Sequence, residues 1–464
     1  MSDSMKQELE WFNQLTEQLL QVEKDEPVAA PIPTSELANR LDLELNEDPI
    51  SDDEFFASLQ DLVMSTPRTA SKSFFNQLFG GRNAKATLGE LLATMLNNSM
   101  YTYKVGGPQV AVEKEIVKKV AMAAGFNNDF GGTISSGGSM SNLIAMLMAR
   151  DKISPEIRFK GKDQQSLVAY TSKASHYSNK KNASFLGIGL ECLRLVEVDE
   201  LGRMSAADLE LKIKADIDNG LTPFFVNCTA GTTVLGAFDP IREVTAVAKT
   251  YNVWTHVDGA YCGPVLFSDR FKHLVDGLET ADSFNLNAHK MLGTPLTCSV
   301  IVVKDKKHIY DSLSMEADYL YQTDMDEYNL GKTSLQCGRR NNALKFWCLW
   351  KSVGTTGLAD IVEKQMDLAE HARQYVDSSE YYTLYSFKDS ISICFNYKDI
   401  DPIVLCTSLY EHAELMVGYG SYNGVTFVRL VTMDPRNEMT DIDAFFKTLE
   451  KHAAKYELTP VLAG

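Results

Sequence analysis

The chain reads as an α/β protein: a mainly parallel sheet with helices on both faces, a small α+β domain toward the C-terminal end and an added segment at the N-terminal end. Three observations predict this. Between about residues 80 and 350, short apolar runs alternate with helical stretches at a spacing of roughly 30 residues, the length a parallel crossover needs. The runs are continuously apolar and bounded by turn residues, as strands buried on both faces are. Beyond about residue 350 the order becomes helix, strand, helix, strand, helix, which suits a smaller domain.

Residues 1 to about 60 mix helical patterns with two acidic stretches, Glu26 to Pro33 and Leu45 to Glu54. Trp11, Phe12, Phe55 and Phe56 give this segment apolar surface to bury, so residues 1–79 are expected to form an arm that packs on something larger. In 80–350, the large domain, the expected strands are Ser166–Tyr170, Leu193–Val198, Pro223–Asn227, Val253–Val257, Ser283–Leu286 and Cys298–Val303. In 351–464, the small domain, a helix over Leu358–Val376 precedes a strand at Ile391–Phe395. A helix near Ile403–His412, a strand at Thr426–Val431 and a last helix over Asp441–Tyr456 complete it.

A length of 464 residues exceeds one ordinary core, and 44% hydrophobic with 10% aromatic content describes a packed globular protein. The net charge of -17 disfavours nucleic acid, which needs basic neutralisation of phosphates. It also means that an anionic substrate must be drawn by a local basic site. With no apolar run of about 18 residues and a start, MSDSMKQELEWF, unlike a signal peptide, a cytoplasmic protein without membrane contact is expected. Eight cysteines without a CxxC pair predict reduced thiols, with neither a disulfide framework nor a metal.

The chemistry lies at the ends of two apolar runs. Lys290 stands in Ser283–Gly293 directly after His289, and Asp258 stands in His256-Val257-Asp258-Gly259-Ala260-Tyr261. Alone, the lysine reads as a surface residue opening a turn and the aspartate as a helix N-cap. Together they offer an amine that can form an imine and a carboxylate that can hold a protonated ring nitrogen, which points to pyridoxal phosphate. The glycine-rich stretch Gly131–Ser139, opening into Met140–Met148, is either a phosphate seat at a helix N-terminus or a plain loop. It is not a P-loop, since no Gly-Lys-Ser/Thr follows. His176, after the first strand, can lie flat on a ring or be a satisfied loop histidine. The run Asn227–Thr233 suits a tight turn or cofactor contacts.

These motifs resemble those of the pyridoxal-phosphate group II decarboxylases, in the branch of glutamate decarboxylase and cysteine sulfinate decarboxylase. They are FFNQLFGG (74–81), SMYTY (99–103), SSGGSMSN (135–142), TSKASHYSNKK (171–181), TAGTTVLGAFDP (229–240), HVDGAYCGP (256–264), NAHKMLG (287–293), QCGRR (336–340) and FVRLV (427–431). The resemblance runs from about residue 65 to the end. It implies the aspartate-aminotransferase-like type I fold, pyridoxal 5'-phosphate as cofactor and a homodimer with active sites at the interface. It makes Lys290 the Schiff-base lysine and Asp258 the pyridine-nitrogen partner, with His176 stacked on the ring. Ser139, Met140 and His289 would line the phosphate and imine region, and Thr229, Ala260 and Asn287 would contact the cofactor. Tyr319 would protonate the substrate α-carbon. Two departures stand out: Ala288 where proline is usual, expected to free the backbone before the lysine, and Gly259 where alanine is usual, expected to remove a methyl near the ring.

The resemblance also bears on the substrate. Arg429, in the strand-like Val425–Val431, reads by itself as a solvated arginine; in the family it grips the distal acid of the substrate, a task suited to a planar bidentate donor, with Gln77 as second contact. Phe79, Ser99 and Tyr101 match cysteine sulfinate decarboxylases, where glutamate decarboxylases usually carry Ser, Asn and Phe. A bulky Phe79 would shorten the pocket by a step that discriminates by only about 1 to 3 kcal/mol. The expected reaction is decarboxylation of a short acidic amino acid, L-aspartate to β-alanine or L-cysteine sulfinate to hypotaurine or both. Glutamate decarboxylation is the alternative. Diaminobutyrate would set a cation against Arg429, and an aminotransferase would not need Tyr319.

Overall fold

The computed structural model describes residues 3–161, 167–315, 321 and 326–456. The chain divides into two compact units. The larger comprises Arg82–Asp367 with Phe387–Ser392. It is built on a seven-stranded sheet of β1 (Gly131–Ser135), β2 (Leu167–Ser172), β3 (Leu193–Val196), β4 (Thr222–Thr229), β5 (Trp254–Gly259), β6 (Ser283–Asn287) and β7 (Ser299–Val303). The order is β1-β7-β6-β5-β4-β2-β3. Strands β3, β2, β4, β5 and β6 are mutually parallel, while β7 runs against both β6 and β1. Every residue of β2, β5, β6 and β7 is buried, which is why these strands appear in the sequence as unbroken apolar runs. The helix Gly138–Ile153 packs along β4, β5 and β6.

β1 corrects the reading of Gly131–Ser139 as one glycine-rich seat. Gly131 and Gly132 are strand residues; a Cβ on Gly132 would lie 2.5 Å from the carbonyl oxygen of Ile301 and 2.7 Å from Val117. Close packing demands these glycines, and only the following turn and helix start remain as a seat.

The smaller unit joins Met1–Gly81 to Leu368–Ser386 and Ile393–Gly464. Its sheet has the order β10-β11-β9-β8, from β8 (Tyr382–Leu384), β9 (Ser392–Tyr397), β10 (Gly418–Tyr422) and β11 (Val425–Val431). The segment before residue 82 is thus part of a unit with C-terminal residues: Phe75 lies in one apolar core with Phe395, Val428, Phe445 and Phe446, its ring 5.1 Å from Phe445. The N-terminal helices Asp3–Asp25 and Asp52–Ser65 meet through Trp11, 5.4 Å from Phe56 and 6.0 Å from Phe55. The second helix begins with a capping box between Ser51 and Glu54, fixing its first turn. The other boundary between units falls between Asp367 and Leu368, inside the helical stretch Ala343–Asp377, and not near 350; at 354 that stretch is broken by a glycine with φ of 70°.

Candidate active site

Parallel strands end where ligands of α/β proteins bind, and here those ends carry the expected chemistry. Thr229 closes β4, Asp258 is the penultimate residue of β5 and Asn287 closes β6. Thr229 sits beside Asp258 in register. A cavity of about 260 Å³ is lined by Ser139, His176, Thr229, Asp258, Ala260, Asn287, His289 and Lys290, so eight expected site residues meet in one place. Asn142, Tyr177, Gly231, Thr233 and Tyr261 line it as well.

Each wall has a local cause. The helix starting at Gly138 approaches β5 and β6 so closely that a Cβ there would lie 2.8 Å from Ala260 Cβ and 3.2 Å from Asn287 Nδ2. Its N-terminal end and Ser139 form the wall that suits an anion. Met140 does not line the cavity; its side chain packs against the apolar core around Ile144 and Trp254. Thr229 is held by Asp239, whose carboxylate accepts from the amides of Thr229 and Met204, both at 2.7 Å. Lys290 follows a tight turn, its amide donating to Asn287 O at 3.1 Å, and Gln365 Nε2 donates to Met291 O at 2.6 Å. Its ammonium lies 6.0 Å above the Tyr261 ring, and Tyr261 is anchored through its hydroxyl, 2.9 Å from Ser392 Oγ.

The electrostatics suit a cationic, phosphorylated ring. Asp258 is 4% exposed, and its oxygens accept from Asn142 Nδ2 at 2.7 Å and from the Ala260 amide at 3.0 Å. A buried carboxylate is costly unless it is paired, and a protonated ring nitrogen in the cavity would be such a partner. The buried Asn287 Oδ1 also has no partner among the described residues. Burial lowers the pKa of His176, the charge of Lys290 adding to the effect against the opposing pull of Asp258. His289, whose Nδ1 lies 2.9 Å from the Cys298 main chain, is pushed down to about 4, mainly by burial. Burial thus favours the neutral form of both rings. These residues therefore fit pyridoxal 5'-phosphate: Lys290 to bond it, Asp258 to hold its ring nitrogen, His176 against its face and the 138–139 amides for its phosphate.

The two departures have structural answers that differ from expectation. Ala288 is fully buried and its amide donates to Cys298 O at 3.0 Å; the backbone before Lys290 is pinned by a bond that proline cannot make, not freed. At Gly259 the missing methyl would not face the ring: it would meet Phe284 and the Asn285 carbonyl of β6.

The residues expected at the substrate's distal acid lie elsewhere in the chain. In the smaller unit, Arg429 on β11 donates from Nη2 to Asn76 O at 3.1 Å, next to Gln77. Gln77 is exposed, and Phe79 tilts against Phe74 at 6.0 Å. In the larger unit, Ser99 Oγ accepts from the amides of Tyr101 and Arg339, and Tyr101 stacks on Tyr321 at 5.9 Å. Neither Ser99 nor Tyr101 lines the cavity. Tyr319 lies outside the described residues. Asn142 closes the motif SSGGSMSN, but sequence reasoning gave it no role, because its contact with Asp258 joins residues 116 positions apart.

Fold and cavity define a class: an α/β protein with a lysine and a buried aspartate in one cavity at the ends of parallel strands. The model of the pyridoxal-dependent decarboxylase conserved domain matches residues 33–398, and the chain belongs to that family. It is a pyridoxal-phosphate-dependent decarboxylase. It is similar to the acidic amino acid decarboxylase GADL1 of Mus musculus, 35% identical over 436 residues that cover 89% of this chain and 79% of the relative. The Bos taurus protein of the same name is 34% identical, covering 89% and 83%. Among solved structures, mouse CSAD superposes with a TM-score of 0.88 at 32% identity, over 95% of this chain and 98% of the other. Among the described residues, no helix is long and apolar enough to cross a membrane.

Proposed function

We propose that this enzyme decarboxylates short acidic L-amino acids, L-aspartate to β-alanine, L-cysteine sulfinate to hypotaurine, or both. The observation that carries the acidic preference is Arg429, held by Asn76 O beside Gln77, in a chain whose relatives are named acidic amino acid decarboxylases. A guanidinium so placed offers a planar fork to a carboxylate or sulfinate, and the net charge of -17 gives no other attraction for such a substrate.

Pyridoxal phosphate, when bound, supplies the electron sink for the bond that breaks. Lys290 is the amine that anchors it and yields its place to the substrate's amino group. Asp258 keeps a proton on the ring nitrogen. The neutral His176 presents a flat, uncharged face, and Thr229, Ala260 and Asn287 fix the ring's edge. Ser139 and the amides of the helix start take the phosphate, with Met140 contributing main chain only. Tyr319 delivers the proton to the α-carbon, the step that separates decarboxylation from transamination. Phe79, Ser99 and Tyr101 set the pocket length.

The active form is a homodimer. On the helix Ala84–Leu96, Leu88, Leu91, Leu92, Met95 and Leu96 recur at helical spacing and are all exposed. A continuous apolar stripe of this kind marks an interface, and a second copy is its occupant. Amine formation from aspartate, cysteine sulfinate, cysteate, glutamate and diaminobutyrate tests the substrate reading: the short acids should lead, and fastest turnover of glutamate would overturn it.

A further inference from the structure

Behind Asp258 lies a row of polar side chains whose own cofactor contacts do not explain them. Asn142, His256, Ser283, Asn285 and Trp254 are each at most 1% exposed. Asn142 Nδ2 lies 2.7 Å from Asp258 Oδ2. Asn142 Oδ1 lies 2.7 Å from Asn285 Nδ2 and 3.1 Å from His256 Nε2. His256 Nδ1 is 2.9 Å from Ser283 Oγ, which is 2.9 Å from Trp254 Nε1.

One proton arrangement serves the shorter contacts; Asn285 Nδ2, 3.4 Å from His256 Nε2, is then a second donor that shares Asn142 Oδ1 with it. An ionised carboxylate only accepts, so Asn142 must turn its amide nitrogen to Asp258 and its oxygen to His256 and Asn285. His256 then carries its proton on Nε2, and Nδ1 accepts from the Ser283 hydroxyl, whose oxygen accepts from the indole. Every bond points the same way: Trp254 to Ser283 to His256 to Asn142 to Asp258. Aligned donors polarise one another, and the sum falls on one carboxylate oxygen. Polar groups this deeply buried bring little stability over well-packed apolar ones, so their placement calls for another role.

We propose that Asn142 and His256 are positioning residues for the decarboxylation, holding the Asp258 carboxylate aimed at the ring nitrogen of bound pyridoxal 5'-phosphate so that this nitrogen keeps its proton. This rests on the reading of Asp258 as the ring-nitrogen partner. Burial holds His256 neutral, its pKa pushed down to about 4, so the imidazole itself brings no positive charge toward Asp258. Ser283 and Trp254 fix the tautomer, as the far partner of a histidine does.

The test uses the holoenzyme loaded with cofactor labelled at the ring nitrogen, whose NMR shift reports the proton, and the cofactor dissociation constant. Asn142→Leu should weaken cofactor binding about tenfold to a hundredfold, the loss of a hydrogen bond to a charged group, His256→Leu should weaken it about tenfold or less, the loss of a neutral bond that aims Asn142, and both should move the ring-nitrogen signal toward the unprotonated form. His256→Gln, whose amide reaches the position of Nε2, should restore both. If Asn142→Leu does not fold, the near-isosteric Asn142→Asp should move the signal further, because two carboxylates at that distance share a proton. Wild-type signal and affinity in the Asn142 and His256 variants, with Asp258→Asn altered, would overturn the proposal. An unchanged signal in Asp258→Asn would instead overturn the assignment of Asp258.

Discussion

Gly259→Ala adds one methyl group beside Asp258, and the structure gives that methyl no room. A Cβ at 259 would lie 2.5 Å from Phe284 Cε2, 2.6 Å from the carbonyl oxygen of Asn285 and 2.9 Å from Gly263 Cα. Two of these three atoms are backbone and the third belongs to a fully buried ring, so rotamer changes cannot clear them. Overpacking costs about 1 to 3 kcal/mol; with main chain of β6 as the obstacle, the upper end is expected. At roughly 2 to 4 °C per kcal/mol for a unit of this size, the melting temperature should fall by about 6 to 12 °C. Because β5 must move to relieve the contact, Asp258 moves with it and cofactor binding should weaken. Thermal unfolding of the apo form and cofactor titration read the two effects. In the double variant with Phe284→Leu, less than half of the loss should return, since the contacts with Asn285 O and Gly263 Cα persist. A melting temperature within about 1 °C of wild type, with unchanged cofactor affinity, would refute the assignment of Gly259 to packing.

Three further outcomes are expected. Lys290→Ala should abolish amine formation and the absorption of the lysine-bound cofactor; retained turnover would remove Lys290 from its role. Arg429→Ala should lower kcat/KM for acidic substrates on the order of a hundredfold through KM, the cost of an unpaired substrate charge, and an unchanged substrate profile would count against it. Stability should fall in acid: His256 and His289 have pKa values near 4 in the folded chain against about 6.5 unfolded, so the unfolded chain takes up protons first. Stability is then complete above about pH 6.5 and declines toward pH 4, by up to about 3 kcal/mol per histidine. Denaturant unfolding of wild type and His256→Gln across that range checks it; parallel pH profiles would show that His256 contributes nothing.

Of the fold, the parallel strands were legible because burial on both faces leaves unbroken apolar runs, and β2 to β7 fall where those runs stand. β1 was not: two glycines and a threonine read as loop, and only pairing with β7, from Gly131 against Val303 to Ser135 against Ser299, makes them a strand. β8 and β10 were missed for a related reason, being short or mostly unburied. Of the site, Lys290 and Asp258 were legible because each stands at the end of an apolar run, whereas Thr229 and Asn287 were named through the family's motifs; parallel strands bring these ends together.

By itself the sequence determined the order of the buried strands β2 to β7, the residue types able to bond a carbonyl and hold a cation, and through its motifs the family. Tertiary structure alone decided what faces what. It turned Met140 into the core, set Gly259 against Phe284, pinned Ala288 to Cys298, and lined up Asn142 and His256 behind Asp258. The physical reason is range: strand propensity and motif chemistry are local, whereas a hydrogen bond from Asn142 to Asp258 joins residues 116 positions apart and exists only once β5 and the helix Gly138–Ile153 have packed.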